Sequence, residues 1–399
     1  MKFITYVVKS CKIEEEWFHK THCDVRGLEI MLPKARFYAV MIYGIPLKEA
    51  IILKEEALAR GMDCSLSRNV ASLKAKFTNA LIFGNERQFS SLIEKMKLQP
   101  FKCSEIAMDM YEALQNHKKE EYEIEFPRER MKIPPVRIMG ILNITPDSFY
   151  DGMKYYDLEK AVERAQKMAE NGADIIDVGG ESTRPFAQEV SEEEEIKRIL
   201  PVIEEISELR IPISVDTYKP EVAEKAIEAG AQMINDVSGL RNPKMLEVAK
   251  EYDVPVVIMH MRGKPKNMQR NPKYSDLFRE IYGYLKVKGD YAAEILGKNK
   301  VLIDPGIGFG KTARNNYEIM KYIHIFKSAG YPILLGTSRK SFIGKVLDKP
   351  PEKRLFGTIA TITSAVLCGV SVLRVHDVSE VKDAVRVAEC ILKPTKSPE

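Results

Sequence analysis

Eight short apolar runs, each ending abruptly in polar residues, constrain the fold of this chain more than any other feature. The runs end at or just before Asn143, Gly179, Asp216, Asn235, His260, Asp304, Gly336 and His376. The segments between them have the apolar periodicity of helices, so strand, polar loop and helix alternate along the chain. This alternation predicts an α/β fold, a (β/α)8 TIM barrel, whose functional groups lie at the carboxyl ends of the strands.

The length of the chain predicts a second domain in front of this barrel. A barrel of about 250 residues leaves roughly the first third of the 399 residues unassigned. We predict a small α/β domain of unknown role over residues 1–120 and the barrel over residues 121–399. The pattern of the first domain indicates strands near Phe3–Val8, Tyr38–Ile42 and Leu81–Phe83, and helices near Leu47–Arg60, Glu86–Lys97 and Ser104–Lys118. The charged, proline-containing stretch from His117 to Arg137 is interpreted as a connection.

Composition excludes several classes of protein. A net charge of +4 on 399 residues is too mild to favour a nucleic-acid-binding protein. Apolar runs are too short for a membrane span or a signal peptide, so we expect a cytoplasmic protein without membrane partners. The six cysteines are scattered rather than paired, which predicts reduced thiols instead of a disulfide framework.

The glycine-rich run Gly306–Thr312 follows a predicted strand and invites comparison with a nucleotide-binding P-loop. That motif needs four residues between its first glycine and the Gly-Lys-Thr triplet, whereas three intervene here. We therefore reject the nucleotide hypothesis. A loop whose glycines let a substrate approach the backbone is the better interpretation.

Three polar residues end different strands and should converge at one mouth of the barrel: Asp216, Asn235 and Asp304. A carboxylate can accept two parallel N–H bonds from the edge of a 2-amino-pyrimidinone, and an amide offers both a donor and an acceptor. Each residue could instead cap a helix or fix a turn. Together, the three favour a binding site for a guanidine-like heterocycle.

Basic groups also lie at strand ends, and they suggest a site for a doubly charged anion such as pyrophosphate: Arg184, Lys340, Arg374 and His376. Arg374 and His376 are two residues apart on one strand and should face the same side. We interpret His260 as structural and Asp177, inside its strand, as a packing or supporting carboxylate.

Seven ordered motifs within residues 135–393 strongly resemble dihydropteroate synthase, a family of the pterin-binding barrel superfamily. The motifs are MGILNITPDSF, GGESTRP, SVDTYKP, INDVSG, DPGIGFGKT, GTSRKSFIG and RVHDV. The resemblance implies a transferase of folate biosynthesis. It would join 6-hydroxymethyl-7,8-dihydropterin pyrophosphate to 4-aminobenzoate or a related arylamine, with Mg2+ as cofactor and a homodimer as the assembly.

The resemblance also implies a role for each matching residue. Asp216, Asn235, Asp304 and Lys340 would hold the pterin, Arg374 and His376 the leaving pyrophosphate, and Asn143 a Mg2+ ion on it. Asp151 would stabilise positive charge at the pterin methylene, Thr183 and Arg184 would close over the site, and Phe309 and Ser341 would line the aminobenzoate pocket.

Two alternatives stay open from the sequence. A pterin-dependent methyltransferase of the same superfamily would hand a methyl group to a corrinoid, but the STRP and SRKS loops disfavour it. A non-catalytic pterin-binding protein is disfavoured because a sensor has no need of the pyrophosphate-binding residues Asn143, Arg374 and His376.

Overall fold

A computed structural model of the chain describes residues 3–144, 155–182, 189–263 and 267–394. The chain folds into two compact units. The first comprises Met1–Lys119 with His324–Gly330, and the second comprises Glu120–Ile323 with Tyr331–Glu399. The segment His324–Gly330 therefore belongs to the first unit, although its neighbours in the sequence on both sides belong to the second.

The first unit contains a four-stranded antiparallel sheet with the strand order β1-β2-β4-β3. Its strands are β1 (Ile4–Lys12), β2 (Arg36–Pro46), β3 (Asp63–Leu66) and β4 (Phe77–Asn85). Its helices are α1 (Glu15–His19), α2 (Val25–Ala35), α3 (Leu47–Leu58), α4 (Arg68–Ala71), α5 (Glu86–Lys97) and α6 (Cys103–Lys118). The three strands and three helices that the sequence predicts are present. The structure adds β3, α1 and α4, which are only four or five residues long, and α2, whose Gly27 and Pro33 are unfavourable inside a helix.

Helix α5 illustrates how the sequence specifies the packing of this unit. Asn85 Oδ1 accepts a hydrogen bond from the backbone N–H of Gln88 at 2.9 Å, and Gln88 Oε1 accepts one from the N–H of Asn85 at 2.8 Å. This capping box satisfies two backbone donors at the start of the helix. The buried face of α5 then packs into a core with the inward side chains of the sheet: Phe89, Leu92, Ile93 and Met96 with Val40, Ile42, Ala80 and Ile82.

The second unit begins with the hairpin β5 (Tyr122–Glu125) and β6 (Arg130–Ile133) and continues as an eight-stranded parallel barrel, which confirms the predicted fold class. The barrel strands are β7 (Arg137–Asn143), β8 (Ile175–Gly179), β9 (Ile213–Asp216), β10 (Met233–Asp236), β11 (Val256–Met259), β12 (Val301–Asp304), β13 (Leu334–Leu335) and β14 (Val372–Val375). Strand β14 pairs with β7, and a parallel bridge between Ile303 and Ile333 closes the ring beside β12.

Helices follow the barrel strands and surround them. They are α7 (Tyr155–Glu170), α8 (Glu192–Ile206), α9 (Pro220–Glu228), α10 (Lys244–Glu251), α11 (Leu277–Leu296), α12 (Ala313–Lys321), α13 (Ser341–Leu347), α14 (Leu355–Leu367) and α15 (Val378–Leu392). Short 3-10 helices cover Lys298–Lys300, Ile323–Ala329 and Pro351–Lys353. Within the described ranges, no helix combines the length and apolar character needed to cross a membrane.

The hairpin β5–β6 corrects the interpretation of this stretch as a mere connection. Its alternate residues are buried, and they form one apolar cluster with side chains from the first half of seven barrel strands: Tyr122, Ile124, Phe126, Met131 and Ile133 with Met139, Ile175, Met233, Val257, Leu302, Leu334 and Val372. The hairpin therefore covers the amino-terminal mouth of the barrel. The opposite, carboxyl-terminal mouth carries the polar residues.

Candidate active site

Side chains from four strands meet at the carboxyl end of the barrel. Nε of Arg374 donates to Oδ2 of Asp177 at 2.5 Å, and Nη2 of Arg374 donates to Oδ2 of Asp216 at 2.6 Å. Nδ2 of Asn235 donates to the same Asp177 oxygen at 3.1 Å. The structure thus brings two of the predicted residues, Asp216 and Asn235, into one network, in which Arg374 lies between the carboxylates of Asp177 and Asp216.

Each of the two carboxylates keeps one oxygen available. Oδ1 of Asp177 and Oδ1 of Asp216 are buried without a hydrogen-bond partner among the described residues. Burial raises the pKa of Asp216 to about 7, an effect that the Arg374 guanidinium opposes and the nearby Asp177 reinforces. Buried polar atoms without partners are rare in folded proteins. Each of the two oxygens therefore has unused acceptor capacity, which N–H donors of a ligand would satisfy.

Asp304 and Lys340 lie on the other side of this mouth. Oδ1 of Asp304 accepts a hydrogen bond from the backbone N–H of Gly306 at 2.7 Å, and Nζ of Lys340 donates to the carbonyl oxygen of Ile307. Burial raises the pKa of Asp304, and Lys340 opposes that shift. Burial lowers the pKa of Lys340 to about 8, against the attraction of Asp304. Nζ of Lys340 also lies 4.7 Å from the centre of the Phe309 ring.

Asn143 ends β7 next to Gly179, the last residue of β8, with which it is in register. A Cβ atom added to Gly179 would lie 3.7 Å from Oδ1 of Asn143 and 3.6 Å from Oδ2 of Asp216. Gly179 therefore lies in a narrow gap between the amide oxygen of Asn143 and the carboxylate of Asp216, where a Cβ would make ordinary contacts with both. Among the described residues, no group of three or more His, Cys, Asp or Glu side chains forms a metal-binding cluster.

His376 follows β14 and is held by the loop after β13. Nδ1 of His376 lies 2.9 Å from Oγ of Ser338, and the backbone N–H of His376 donates to the same oxygen at 3.2 Å. Burial lowers the pKa of His376 to about 3, and the neighbouring Arg374 and Arg339 lower it further. The imidazole is therefore neutral at physiological pH, so it can donate a hydrogen bond but carries no positive charge.

Phe309 and Ser341 flank an apolar part of this mouth. Phe309 is partly buried and packs with Tyr218 against a methionine-rich cluster: Val237, Met259, Met261 and Met268. Ser341 is exposed and is the first residue of α13, where backbone N–H groups lack intrahelical partners.

The loop after β12 needs its glycines for a different reason from the predicted one. Gly306 and Gly310 have φ values of +70° and +62°. A Cβ on Gly306 would lie 2.1 Å from the carbonyl oxygen of His260, and one on Gly310 would lie 2.4 Å from that of Arg262. These glycines accommodate the neighbouring backbone after β11, which explains both positions without any approach of a substrate.

Lys311, in the same loop, holds protein atoms rather than a phosphate. Its buried Nζ lies 3.1 Å from the carbonyl oxygen of His260, 3.1 Å from Nδ1 of His260 and 3.0 Å from the carbonyl oxygen of Phe309. Burial lowers the pKa of Lys311 to about 7, and Asp304 opposes this shift. The lysine therefore fixes the backbone that presents Phe309, and His260 has the structural role that the sequence predicts.

A buried ionic cluster supports the second loop of the barrel. Nζ of Lys219 donates to Oε2 of Glu181 at 2.5 Å, to Oε2 of Glu195 at 2.6 Å and to the carbonyl oxygen of Val190 at 2.6 Å. The Tyr218 hydroxyl donates to Oε1 of Glu181 at 3.1 Å. Because Lys219 bonds both Glu181 and Val190, one ammonium group fixes both sides of the loop that begins after Ser182.

Three predicted residues, Asp151, Thr183 and Arg184, lie outside the described ranges. Conversely, the sequence interpretation understated Asp177, which bonds Arg374 directly. A carboxylate inside the apolar run Ile175–Val178 was the available signal, because a charged side chain in a buried strand needs a specific partner. Nothing local in the sequence signalled the role of Ser338, whose partner lies 38 residues away.

Comparisons with known proteins agree with this geometry. The sequence profile of the family described as "Pterin binding enzyme" matches residues 139–376. A dihydropteroate synthase of Bacillus subtilis is 48% identical over 258 residues, which cover 64% of this chain and 88% of that protein. A dihydropteroate synthase structure from Clostridium difficile, determined in the presence of pteroic acid, is 47% identical with a TM-score of 0.61 and covers 64% of this chain and 96% of its own. The structure of Xanthomonas albilineans dihydropteroate synthase with 4-aminobenzoic acid is 40% identical with a TM-score of 0.64, and the match covers 68% of this chain and 99% of that one.

Proposed function

Because the chain belongs to the dihydropteroate synthase family, we propose that it condenses 6-hydroxymethyl-7,8-dihydropterin pyrophosphate with 4-aminobenzoate in folate biosynthesis. The products are 7,8-dihydropteroate and pyrophosphate. The observation that carries this proposal is the arrangement of Asp177 and Asp216, in which Arg374 donates to Oδ2 of each carboxylate and Oδ1 of each has no partner among the described residues. This arrangement offers acceptors to the N–H groups of a pterin and a cation to the diphosphate attached to it.

The pterin is proposed to bind between Asp216, Asn235, Asp304 and Lys340. Its 2-amino group and ring N–H can donate two parallel bonds to a carboxylate, while its carbonyl oxygen can accept from a lysine or an amide. Supporting this, Lys340 and Asp304 lie close enough for each to shift the pKa of the other. The site thus combines acceptors for the donor edge of the ring with a donor for its oxygen.

The pyrophosphate is proposed to lie toward Arg374, His376 and Asn143. Arg374 supplies a positive charge and His376 a neutral N–H donor, which stabilise negative charge as the leaving group departs. The amide oxygen of Asn143 is a suitable ligand for Mg2+, which usually binds few protein oxygens together with phosphate oxygens and water. When bound, Mg2+ supplies further positive charge to the pyrophosphate.

The proposed reaction is a substitution at the pterin methylene. The methylene C–O bond breaks with its electron pair leaving on pyrophosphate, and the lone pair of the arylamine nitrogen forms the new C–N bond. The amine then loses a proton to water, since an aniline nitrogen is nucleophilic without a strong base. The pocket of Phe309 and Ser341 would hold the aminobenzoate, and by family resemblance Asp151, Thr183 and Arg184 would stabilise and cover the reacting groups.

A direct assay tests the function. Purified protein, Mg2+, the pterin pyrophosphate and 4-aminobenzoate should release pyrophosphate and form dihydropteroate in equal amounts, and chelation of Mg2+ should abolish both. Product formed without a corrinoid excludes the methyltransferase alternative. If the protein binds pterin but turns over neither 4-aminobenzoate nor a panel of related arylamines, the proposal is wrong and a pterin-binding role is correct.

Affinity for the pterin should depend on pH with a maximum between about 7 and 8. Asp216, with a pKa of about 7, must be ionised to accept two N–H bonds, and Lys340, with a pKa of about 8, must be protonated to donate. Binding of 6-hydroxymethyl-dihydropterin, measured by calorimetry, should weaken about fivefold between pH 7 and pH 6, because the ionised fraction of Asp216 falls from about one half to about one tenth. Asp216→Asn should remove the acidic limb. An affinity that is constant between pH 6 and 7.5 would contradict the role of Asp216.

We also propose that the protein is a cytoplasmic homodimer. Helices α14 and α15 carry several exposed apolar side chains, which on a monomer are unusual when grouped: Phe356, Leu367, Val387, Ile391 and Leu392. The free thiols of the six cysteines support a reducing compartment. Sedimentation of the wild type and of Phe356→Glu would test the assembly: the wild type should sediment as a dimer and the variant as a monomer.

A further inference from the structure

Ser338 holds His376 through two contacts that together specify where the imidazole proton lies. The serine is 5% exposed, in the loop that joins β13 to α13. Its Oγ accepts a hydrogen bond from the backbone N–H of His376 at 3.2 Å and lies 2.9 Å from Nδ1 of the ring. No other hydrogen-bond partner of Ser338 Oγ exists in the described part of the chain.

The single hydrogen of the Ser338 hydroxyl determines which atom is the donor in the contact with Nδ1 of His376. A serine hydroxyl has one hydrogen to donate and two lone pairs. One lone pair already accepts the backbone N–H of His376. If Nδ1 also donated to this oxygen, the nearly buried hydroxyl hydrogen would have no acceptor, and such a buried unpaired donor is unfavourable. The hydroxyl therefore donates to Nδ1, which must be unprotonated.

The neutral ring must then carry its hydrogen on Nε2. Burial and the adjacent guanidinium groups of Arg374 and Arg339 lower the pKa of His376, so a second proton is not retained. Nε2 is the ring nitrogen that does not contact Ser338, and it has no hydrogen-bond partner within the described ranges. The ring is thus an N–H donor with a defined direction beside Arg374.

We propose that Ser338 is a positioning residue, fixing His376 in the neutral tautomer that presents an Nε2–H donor to the leaving pyrophosphate. The inference deepens the proposed function and rests on it for the identity of the ligand. Ser338 acts only through His376, while the imidazole is the group that contacts pyrophosphate. The serine contributes by preventing rotation of the ring and by disfavouring a proton on Nδ1.

Nitrogen NMR of protein labelled with 15N-histidine tests the tautomer directly. The six histidines give separable ring signals, and His376→Gln identifies those of His376. In the wild type, Nε2 should have the pyrrole-type shift of a protonated nitrogen and Nδ1 the pyridine-type shift of a hydrogen-bonded acceptor. In Ser338→Ala, the Nδ1 signal should move to the value of an acceptor without a donor, and Ser338→Thr, which keeps the hydroxyl, should restore it.

Calorimetric titration with inorganic pyrophosphate and Mg2+ tests the consequence. Without the serine the ring of His376 can rotate or take the other tautomer, so Ser338→Ala should bind about tenfold more weakly, the usual effect of losing the one hydrogen bond from His376 in a charged site. Ser338→Thr should recover most of the affinity. Thr337→Val is the matched control. It removes the adjacent buried hydroxyl, which accepts from Thr361 and does not contact His376, so it should leave both the NMR signals and the affinity unchanged.

The inference is overturned if Nδ1 of the wild type carries the proton, or if Ser338→Ala shifts the NMR signal but binds pyrophosphate as tightly as the wild type. The wild-type spectrum decides the first point even if the alanine variant does not fold. Neither readout requires turnover. If the tautomer and affinity behave as stated while the complete assay gives no dihydropteroate, the proposed function fails and the role of Ser338 in pyrophosphate binding stands.

Discussion

Replacing Arg374 with alanine is expected to lower kcat/KM for the pterin pyrophosphate by about three orders of magnitude. The guanidinium is the cation nearest to the two site carboxylates, and its loss removes positive charge from the leaving group. It also leaves Asp177 and Asp216 without the donor that now binds one oxygen of each. The steady-state rate of pyrophosphate release measures the effect, and a loss smaller than tenfold would contradict the assigned role.

Stability must be separated from catalysis in this variant, because removal of one partner from a buried ion pair typically destabilises a protein by about 3–5 kcal/mol. The double variant Arg374→Met with Asp177→Asn removes one of the orphaned charges and should recover part of the stability without recovering activity. The affinity for the pyrophosphate ester should fall more than that for the free pterin alcohol. Equal losses for both ligands would show that Arg374 only orients the protein carboxylates of the pterin site, Asp177 and Asp216.

Lys219→Met is expected to lower the free energy of unfolding by about 3–5 kcal/mol. Lys219, Glu181 and Glu195 are 8%, 6% and 1% exposed, so the substitution leaves two buried carboxylates without their shared cation. Burial already raises the pKa of Glu195. The folded variant therefore binds a proton more readily than the unfolded chain, and the loss should be largest near pH 8 and smaller at acidic pH.

Urea unfolding followed by circular dichroism measures this change, and Lys225→Met is the matched control. Lys225 lies in α9, six residues from Lys219, and donates to Glu228 at 2.6 Å, but both side chains of this pair are solvent-exposed. Exposed pairs contribute little to stability, so the control should unfold as the wild type does. If the two variants lost equal stability, the buried cluster would have no special role.

The barrel and most of its site are predictable from the sequence for a geometric reason. The carboxyl ends of parallel strands share one mouth, so polar residues that end different apolar runs must converge even when far apart in the chain. Asp216, Asn235, Asp304 and Arg374 were predicted in this way. Their pairing was not predictable, because which carboxylate bonds Arg374 depends on side-chain lengths and on how far each strand reaches along the barrel axis.

Other features were missed because their signals are weak or point elsewhere. The hairpin β5–β6 has the alternation of a strand in YEIE and RMKI, but its many charges and flanking prolines resemble a connection. The glycines Gly306 and Gly310 indicate close approach of some group, and the sequence does not reveal that the group is the protein's own backbone after β11. The spacing of glycines in a sequence does not indicate which backbone segments they contact in the folded protein.

The hairpin also sets where the catalytic half of this protein can be separated from the rest. A shortened chain starting at Val136 would keep every barrel strand, but it would expose to water the seven apolar strand side chains that the hairpin covers. Such a fragment should bind hydrophobic dyes more strongly than one starting at Glu120, which keeps the hairpin, while both lack the rest of the first unit to which His324–Gly330 belongs. A barrel fragment prepared for crystals or inhibitor screening should therefore begin before Tyr122, the first residue of the hairpin.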